Sequence, residues 1–242
     1  MSLAIATWNV EWATPRSQRT PHLLNRLDQH APDVICLTET HHYLLSQDGH
    51  SICSQADYGY PIRKGRRKVM LWSRQPWQQV NDLGIEAFPP GRFVSGVTQT
   101  PLGDVSVVGV CIPWSMSRTE ARRGDERKKP WGDHERYLDG LCQVLARVPS
   151  ERVIVIGDFN QMIGPASRAP AGLRLALRAA LPPGMRIVTS DIAFKGRATV
   201  DHIALSADLA VESVSVISNL LEGKKLTDHF GVAARITSRS TR

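Results

Sequence analysis

The sequence predicts an α+β domain in which mostly antiparallel strands alternate with a few helices. Three observations carry that expectation. Short β-branched apolar runs bounded by polar residues recur along the chain, as in Val34 to Leu37 and Val153 to Ile156. Pro101-Leu102-Gly103-Asp104 has the composition of a hairpin turn between two such runs. Apolar residues at helical spacing occur only in separated stretches, one of them Leu23, Leu24 and Leu27.

With 242 residues, 42% of them hydrophobic, and no repeat or low-complexity tract, the chain can bury one sizeable core, so residues 1–242 are expected to form a single domain. No apolar run reaches membrane-spanning length, and no basic-then-apolar signal pattern follows Met1, so a soluble, cytoplasmic protein is expected. Cys36, Cys53, Cys111 and Cys142 lack CxxC spacing, and three of them lie in apolar segments, which predicts buried free thiols rather than disulfides or zinc. The formal charge of +7 favours a polyanionic partner. Much of it sits in two clusters, Arg63, Lys64, Arg66, Arg67 and Lys68, then Arg118, Arg122, Arg123, Arg127, Lys128 and Lys129. Either cluster, taken alone, reads equally well as a solvated face.

In chain order, Leu3 to Val10 reads as a strand that delivers Asn9 and Glu11, two apart, at its end. Pro21 to His30 is a packing helix, and Val34 to Leu37 a buried strand ending in Thr38, Glu39 and Thr40. His41 and His42 are adjacent and receive no catalytic role. Val69 to Ser73 is a strand approached by a cationic loop and closed by Pro76 and Trp77. Phe93 to Thr100 and Val105 to Cys111 form a hairpin. Pro113 to Trp131 has no clear apolar period, and Asp133 is placed to cap a helix faced by Tyr137, Leu138, Leu141, Cys142 and Leu145, with His134 in its first turn. Ala171 to Leu181 is a helix; Arg186 to Thr189, Ala198 to Ser206, Val211 to Ile217 and Val232 to Ile236 are strands.

The strand Val153 to Ile156 runs into Gly157-Asp158-Phe159-Asn160, where Asp158 and Asn160 can project towards one point. Asp and Asn also favour such junctions for conformational reasons alone, so this stretch by itself leaves turn and site open. Other strand ends carry matching groups: Asn9 and Glu11, Glu39, Asp201 and His202, and the Asp228-His229 pair, which suits acid-base work better than filling a turn. A carboxylate with a carboxamide beside it suits a hard cation bound through oxygen.

Trp8-Asn9-Val10-Glu11, Cys36-Leu37-Thr38-Glu39-Thr40, Gly157-Asp158-Phe159-Asn160, Val200-Asp201-His202-Ile203 and Thr227-Asp228-His229-Phe230, in this order, resemble the motif set of the endonuclease/exonuclease/phosphatase family. The resemblance implies a four-layer α/β/β/α sandwich of two mostly antiparallel sheets flanked by helices, with a site at the rim. It implies that Glu39 is the main Mg²⁺ ligand, with Asn9, Asp228 and Glu11 as further metal-side groups and Mn²⁺ as a substitute ion. Asp158 and Asn160 would position the attacking water and the phosphate, and His229 would bind phosphate, oriented by Asp201. Cys111 stands where many relatives place a Tyr or His that contacts phosphate; either His134 or an arginine from the Arg118 to Lys129 loop replaces it, or the transition state is less well held. Residues Phe194 to Thr199 lack the aromatic stretch of apurinic endonucleases.

The expected activity is Mg²⁺-dependent phosphodiester hydrolysis, most naturally of DNA or RNA, with Arg66, Arg67, Lys68, Arg122, Arg123 and His134 contacting substrate and no obligate protein partner. Two other readings share the motifs: a phosphatase or phospholipase C-like hydrolase of inositol phosphates or lipid headgroups, and a catalytically silent phosphate-binding module. The intact set of Glu39, Asp158, Asn160, Asp201, Asp228 and His229 argues against the silent module.

Overall fold

The computed structural model describes residues 1–45, 48–86, 88–119 and 129–239. The first half of the chain forms β1 (Leu3–Asn9), α1 (Thr20–Asp28), β2 (Val34–His41), β3 (His50–Cys53), β4 (Arg66–Ser73), β5 (Trp77–Asn81), β6 (Phe93–Thr100) and β7 (Gly103–Cys111). Then follow α2 (Gly132–Leu145), β8 (Val153–Asp158), α3 (Ala171–Ala180), β9 (Arg186–Ile187), β10 (Ala193–Phe194), β11 (Arg197–Ala198) and β12 (Asp201–Leu205). The chain closes with β13 (Leu209–Ile217), β14 (Leu220–Leu221), β15 (Lys224–Lys225) and β16 (Gly231–Ser238).

Two six-stranded sheets result, ordered β13-β16-β1-β2-β4-β3 and β5-β6-β7-β8-β12-β9. They stack face to face. Strand alternation sorts the side chains into three apolar layers. Ile5, Val34, Cys36, Leu71, Val107, Ile154, Ile156 and Ile203 fill the space between the sheets. The neighbouring residues Ala6, Ile35, Leu37 and Met70 face outward and meet Leu23 and Leu27 of α1. On the other outer face Val108, Val110, Val155 and Ala204 meet Tyr137, Leu138 and Leu141 of α2 and Leu177 of α3. This is the four-layer α+β sandwich that was expected. It also explains why the central strands read as unbroken apolar runs, since both of their faces are buried.

Pairing is mostly antiparallel, but each sheet contains one parallel pair, β1 with β2 and β7 with β8. That detail positions the site. The four parallel strands deliver Asn9, Glu39, Cys111 and Asp158 at or near their C-terminal ends, while β12 and β4, running antiparallel beside them, begin with Asp201 and Arg66 at the corresponding ends.

Several local expectations need correction. Asp133 does not cap α2: Trp131 occupies that position with φ +71°, and Asp133 sits inside the first turn accepting from Ser117 Oγ and the Thr119 amide. Cys142 is exposed on the solvent side of α2 and Cys53 is half-buried, so only Cys36 and Cys111 are buried thiols; all four are free. Trp77 opens β5 instead of closing β4. The strand expected from Ala198 to Ser206 is interrupted, because Thr199 Oγ1 accepts from the Asp201 amide and folds the chain there. No helix among the described residues is long and apolar enough to cross a membrane.

Candidate active site

Gly157 is the residue that lets the site form. Its φ is +140°, and a Cβ there would lie 2.0 Å from the Val110 carbonyl oxygen of the parallel neighbour β7. Only glycine fits. Directly after it, Asp158 ends β8 fully buried, and Asn160 adopts the left-handed region at φ +51°. That turn brings the Asn160 amide to Asp158 Oδ1 (2.9 Å) and its Nδ2 to Asp158 Oδ2 (3.0 Å) and to the Ile112 carbonyl (2.8 Å). From the other sheet Asn9 Nδ2 donates to the same Oδ2 at 3.1 Å. Three N–H groups therefore fix the Asp158 carboxyl across the gap between the sheets.

Asp201 lies directly opposite Asp158 in the β8–β12 register. Its Oδ2 accepts from His229 Nδ1 at 2.6 Å, leaving the Nε2 edge of the ring towards a cleft, with Asp228 Oδ1 4.0 Å away at the surface. Thr227 anchors this segment: its Oγ1 donates to the Asn9 carbonyl and accepts from the His229 amide. Ligand atoms of Asp158, Asp201 and His229 lie within 4.8 Å of one another.

This packing sets the charge states. Burial raises the Asp158 carboxyl, the Asp201 carboxylate adds to the rise, and His229 and the Asn160 amide oppose it; the result is about 7. Burial acts to lower His229, but it is outweighed by the Asp201 charge and hydrogen bond, with Asp158 and Asp228 assisting, so the ring is held at about 10. The site thus pairs a carboxyl poised near neutrality with an imidazolium that persists well above it.

The metal-side residues expected from the sequence are distributed differently. Glu39, at a break in the β2–β4 ladder with φ +46°, is paired with Lys68 at 2.6 Å. Glu11 is engaged by Arg19 at 2.9 Å and is not part of the Asp158 cluster. Asn9 faces Asp158, while its Oδ1 accepts from the Glu11 amide.

The substrate-side residues also separate. Lys68 is buried, so it leaves the expected surface track. Arg66 lies with its guanidinium 4.5 Å from the Trp12 ring centroid, and Arg67 is half-buried beside it. Arg122 and Arg123 lie outside the described residues. His134 is fully buried: Nδ1 donates to the Pro113 carbonyl (2.7 Å) and Nε2 accepts from Gln161 (2.7 Å), so it supports the loop after Asp158 and does not reach the cleft. Burial also pushes the Cys111 thiol up to about 12, which rules it out as an anionic or strongly donating group.

Sequence reasoning missed Arg168 and Arg197. With Met162, Asp201, Asp228, His229 and Phe230 they line one cleft of about 460 Å³. Neither guanidinium is paired among the described residues. An unbroken aromatic or cationic run would have been the signal, and neither arginine sits in one.

Residues 6–229 match the model of the Endonuclease/Exonuclease/phosphatase family. The chain belongs to that family. Members of the endonuclease/exonuclease/phosphatase family hydrolyse phosphoester bonds and generally use divalent metals. Among solved structures, the chain is similar to an endonuclease/exonuclease/phosphatase from Beutenbergia cavernae (16% identity, TM-score 0.67, covering 98% of this chain and 72% of that one). It is also similar to a 3' phosphatase from Neisseria bound to a product DNA hairpin (19%, TM-score 0.70, 96% and 98%). An AP endonuclease from Archaeoglobus fulgidus stands at the same identity (19%, TM-score 0.69, 96% and 98%). At these identities the likeness is one of fold. No curated protein matches the sequence.

Proposed function

We propose that this protein hydrolyses phosphodiester bonds in DNA or RNA with the aid of a divalent cation, Mg²⁺ with Mn²⁺ as a substitute. The observation that carries the substrate class is the cleft in which Arg168 and Arg197, both unpaired among the described residues, share a wall with Asp228 and His229. Guanidinium groups favour phosphate through planar, bidentate hydrogen bonds, and two of them beside one reacting centre suit a substrate with phosphates on either side.

The donor set fits a hard cation. Asp201 Oδ1 is buried with no hydrogen-bond partner among the described residues, and Asp158 adds a second carboxylate to the same cluster. Glu39, Asn9 and Asp228 are the residues that would hold the ion. When bound, it would offset charge on the phosphoryl and leaving oxygens.

The remaining chemistry belongs to the protein. Asp158, oriented by Asn9 and Asn160 and held near neutrality, accepts a proton as water forms a bond to phosphorus and the ester P–O bond opens. The His229 imidazolium, fixed through Nδ1 by Asp201, offers its Nε2–H to a non-bridging oxygen. The leaving oxygen takes its proton from solvent water.

The test is a hydrolysis panel with and without Mg²⁺ spanning plasmid DNA, single-stranded DNA, RNA, an abasic duplex, inositol polyphosphates and sphingomyelin. Metal-dependent cleavage of a nucleic acid is expected, and cleavage confined to inositol phosphates or sphingomyelin would contradict the proposal. Nucleic-acid affinity should fall with salt at a log-log slope of roughly −0.7 to −0.9 per phosphate neutralised. Replacing Arg168 and Arg197 by Gln should flatten that slope.

A further inference from the structure

A lysine side chain ordinarily lays its stem along the surface and keeps its ammonium in water. Lys68 does the opposite. Its side chain is 10% exposed and its Nζ lies 2.6 Å from Glu39 Oε1. The ladder between β2 and β4 skips one position on each strand, pairing Thr38 with Val69 and Thr40 with Arg67, and the residues left between are Glu39 and Lys68. The two charges thus face each other across an interruption that only they occupy.

Aromatic rings close the other sides. The ammonium lies 4.9 Å from the ring centroid of Trp12 and 6.0 Å from that of Tyr58. Trp12 is placed there by two consecutive left-handed residues, Glu11 at φ +47° and Trp12 at φ +59°, and by its amide donating to the Glu39 carbonyl. The turn that carries Trp12 and the strand end that carries Glu39 are therefore tied together around one ammonium. A carboxylate and two π faces make a cage for a cation, and here the chain supplies its own.

We propose that Lys68 is an internal counter-cation, occupying the Glu39 carboxylate until a divalent ion displaces it and thereby setting the protein's divalent affinity. The proposal rests on reading Glu39 as a ligand of that ion. An ammonium hydrogen-bonded to a carboxylate and a divalent ion bound to the same carboxylate repel each other at short range in a partly buried site. Entry of the ion would then push Nζ away from the Glu39 carboxylate. Lys68 would then be a positioning residue for the ion and not part of the exposed basic track.

Direct cation binding tests this without substrate: isothermal titration of the full chain with Mn²⁺, and separately with Mg²⁺, for the wild type, Lys68→Met and Glu39→Gln. Removing the competing charge in Lys68→Met should tighten binding by roughly tenfold or more, and Glu39→Gln should weaken it severely. Unchanged or weaker binding by Lys68→Met, with loss in Glu39→Gln, would overturn the counter-cation and leave the Glu39 reading intact. Wild-type affinity in Glu39→Gln would overturn that reading and the proposal with it. A measurement on the unmodified protein guards against a folding defect in the Met variant. Reductive methylation of Lys68, followed by mass spectrometry with Lys64 as internal reference, should accelerate severalfold at saturating Mn²⁺. No acceleration would overturn displacement.

Discussion

Asp201 and His202 are consecutive on β12, both buried, yet they serve opposite electrostatic regimes. Asp201 faces the cleft and holds His229 as an imidazolium at about 10. His202 faces the helical layer, packed edge-on to Phe159, where burial drives its ring down to about 4. Its Nε2 donates to the Gln161 carbonyl and its Nδ1 accepts from Thr189 Oγ1, so the neutral ring is fully satisfied. Side-chain alternation along one strand separates a charged dyad from a neutral scaffold. The lesson is that partner and face, not residue type, decide what a buried histidine does.

The largest effect should come from breaking the charged side. His229→Ala should cost on the order of 10² to 10⁴ in turnover while the fold persists. Asp201→Asn should lower turnover and also move the alkaline limb of the pH–rate profile down from about 10 towards the ordinary imidazole range. Rate against pH, with circular dichroism as the fold control, checks both. A fully active His229→Ala would remove the dyad from the mechanism.

Gly157→Ala attacks the hinge between the two regimes. Its Cβ would collide with the Val110 carbonyl, so β8 must shift, and a loss of about 2–3 kcal/mol is expected in denaturant unfolding, together with a drop in turnover. Unchanged stability would show that β7 and β8 leave room for a Cβ at Gly157.

The neutral side should respond in stability more than in chemistry. Gln161→Leu strips His134 Nε2 of its donor and should cost about 1–3 kcal/mol. A pH series sharpens the same point. His134 and His202 are both lowered to about 4 by burial, so between about 4 and the ordinary imidazole value the unfolded chain binds more protons than the folded one. Their contribution is present above that ordinary value and is lost as pH falls towards 4. His202→Asn should flatten the acid limb of stability, and an unaltered limb would count against its neutral state.

Much of the fold was legible because strands buried on both faces leave continuous β-branched runs, as in Val153 to Ile156, and because three helices kept their apolar stripes. Short edge strands such as β3 and β5 were not, since their half-exposed residues carry no such run. At the site, Asp158, Asn160, Asp201, His229 and Asn9 were legible as polar groups at strand ends, and the fold gathers them. Lys68 was misread because five basic residues within six positions give no sign of which one turns inward; that depends on the ladder break opposite Glu39. His134 was misread because a polar residue in a first turn looks the same whether the turn is exposed or buried under Gln161. Arg168 and Arg197 are 29 residues apart in sequence, and only the fold brings both to the lining of one cleft.

The most direct test of the account is an NMR titration of selectively labelled histidine rings, following His229 and His202 in one sample. His229 should remain charged until about pH 10, and His202 should remain neutral down to about pH 4. Both rings titrating together near the ordinary imidazole value of about 6.5 would contradict it.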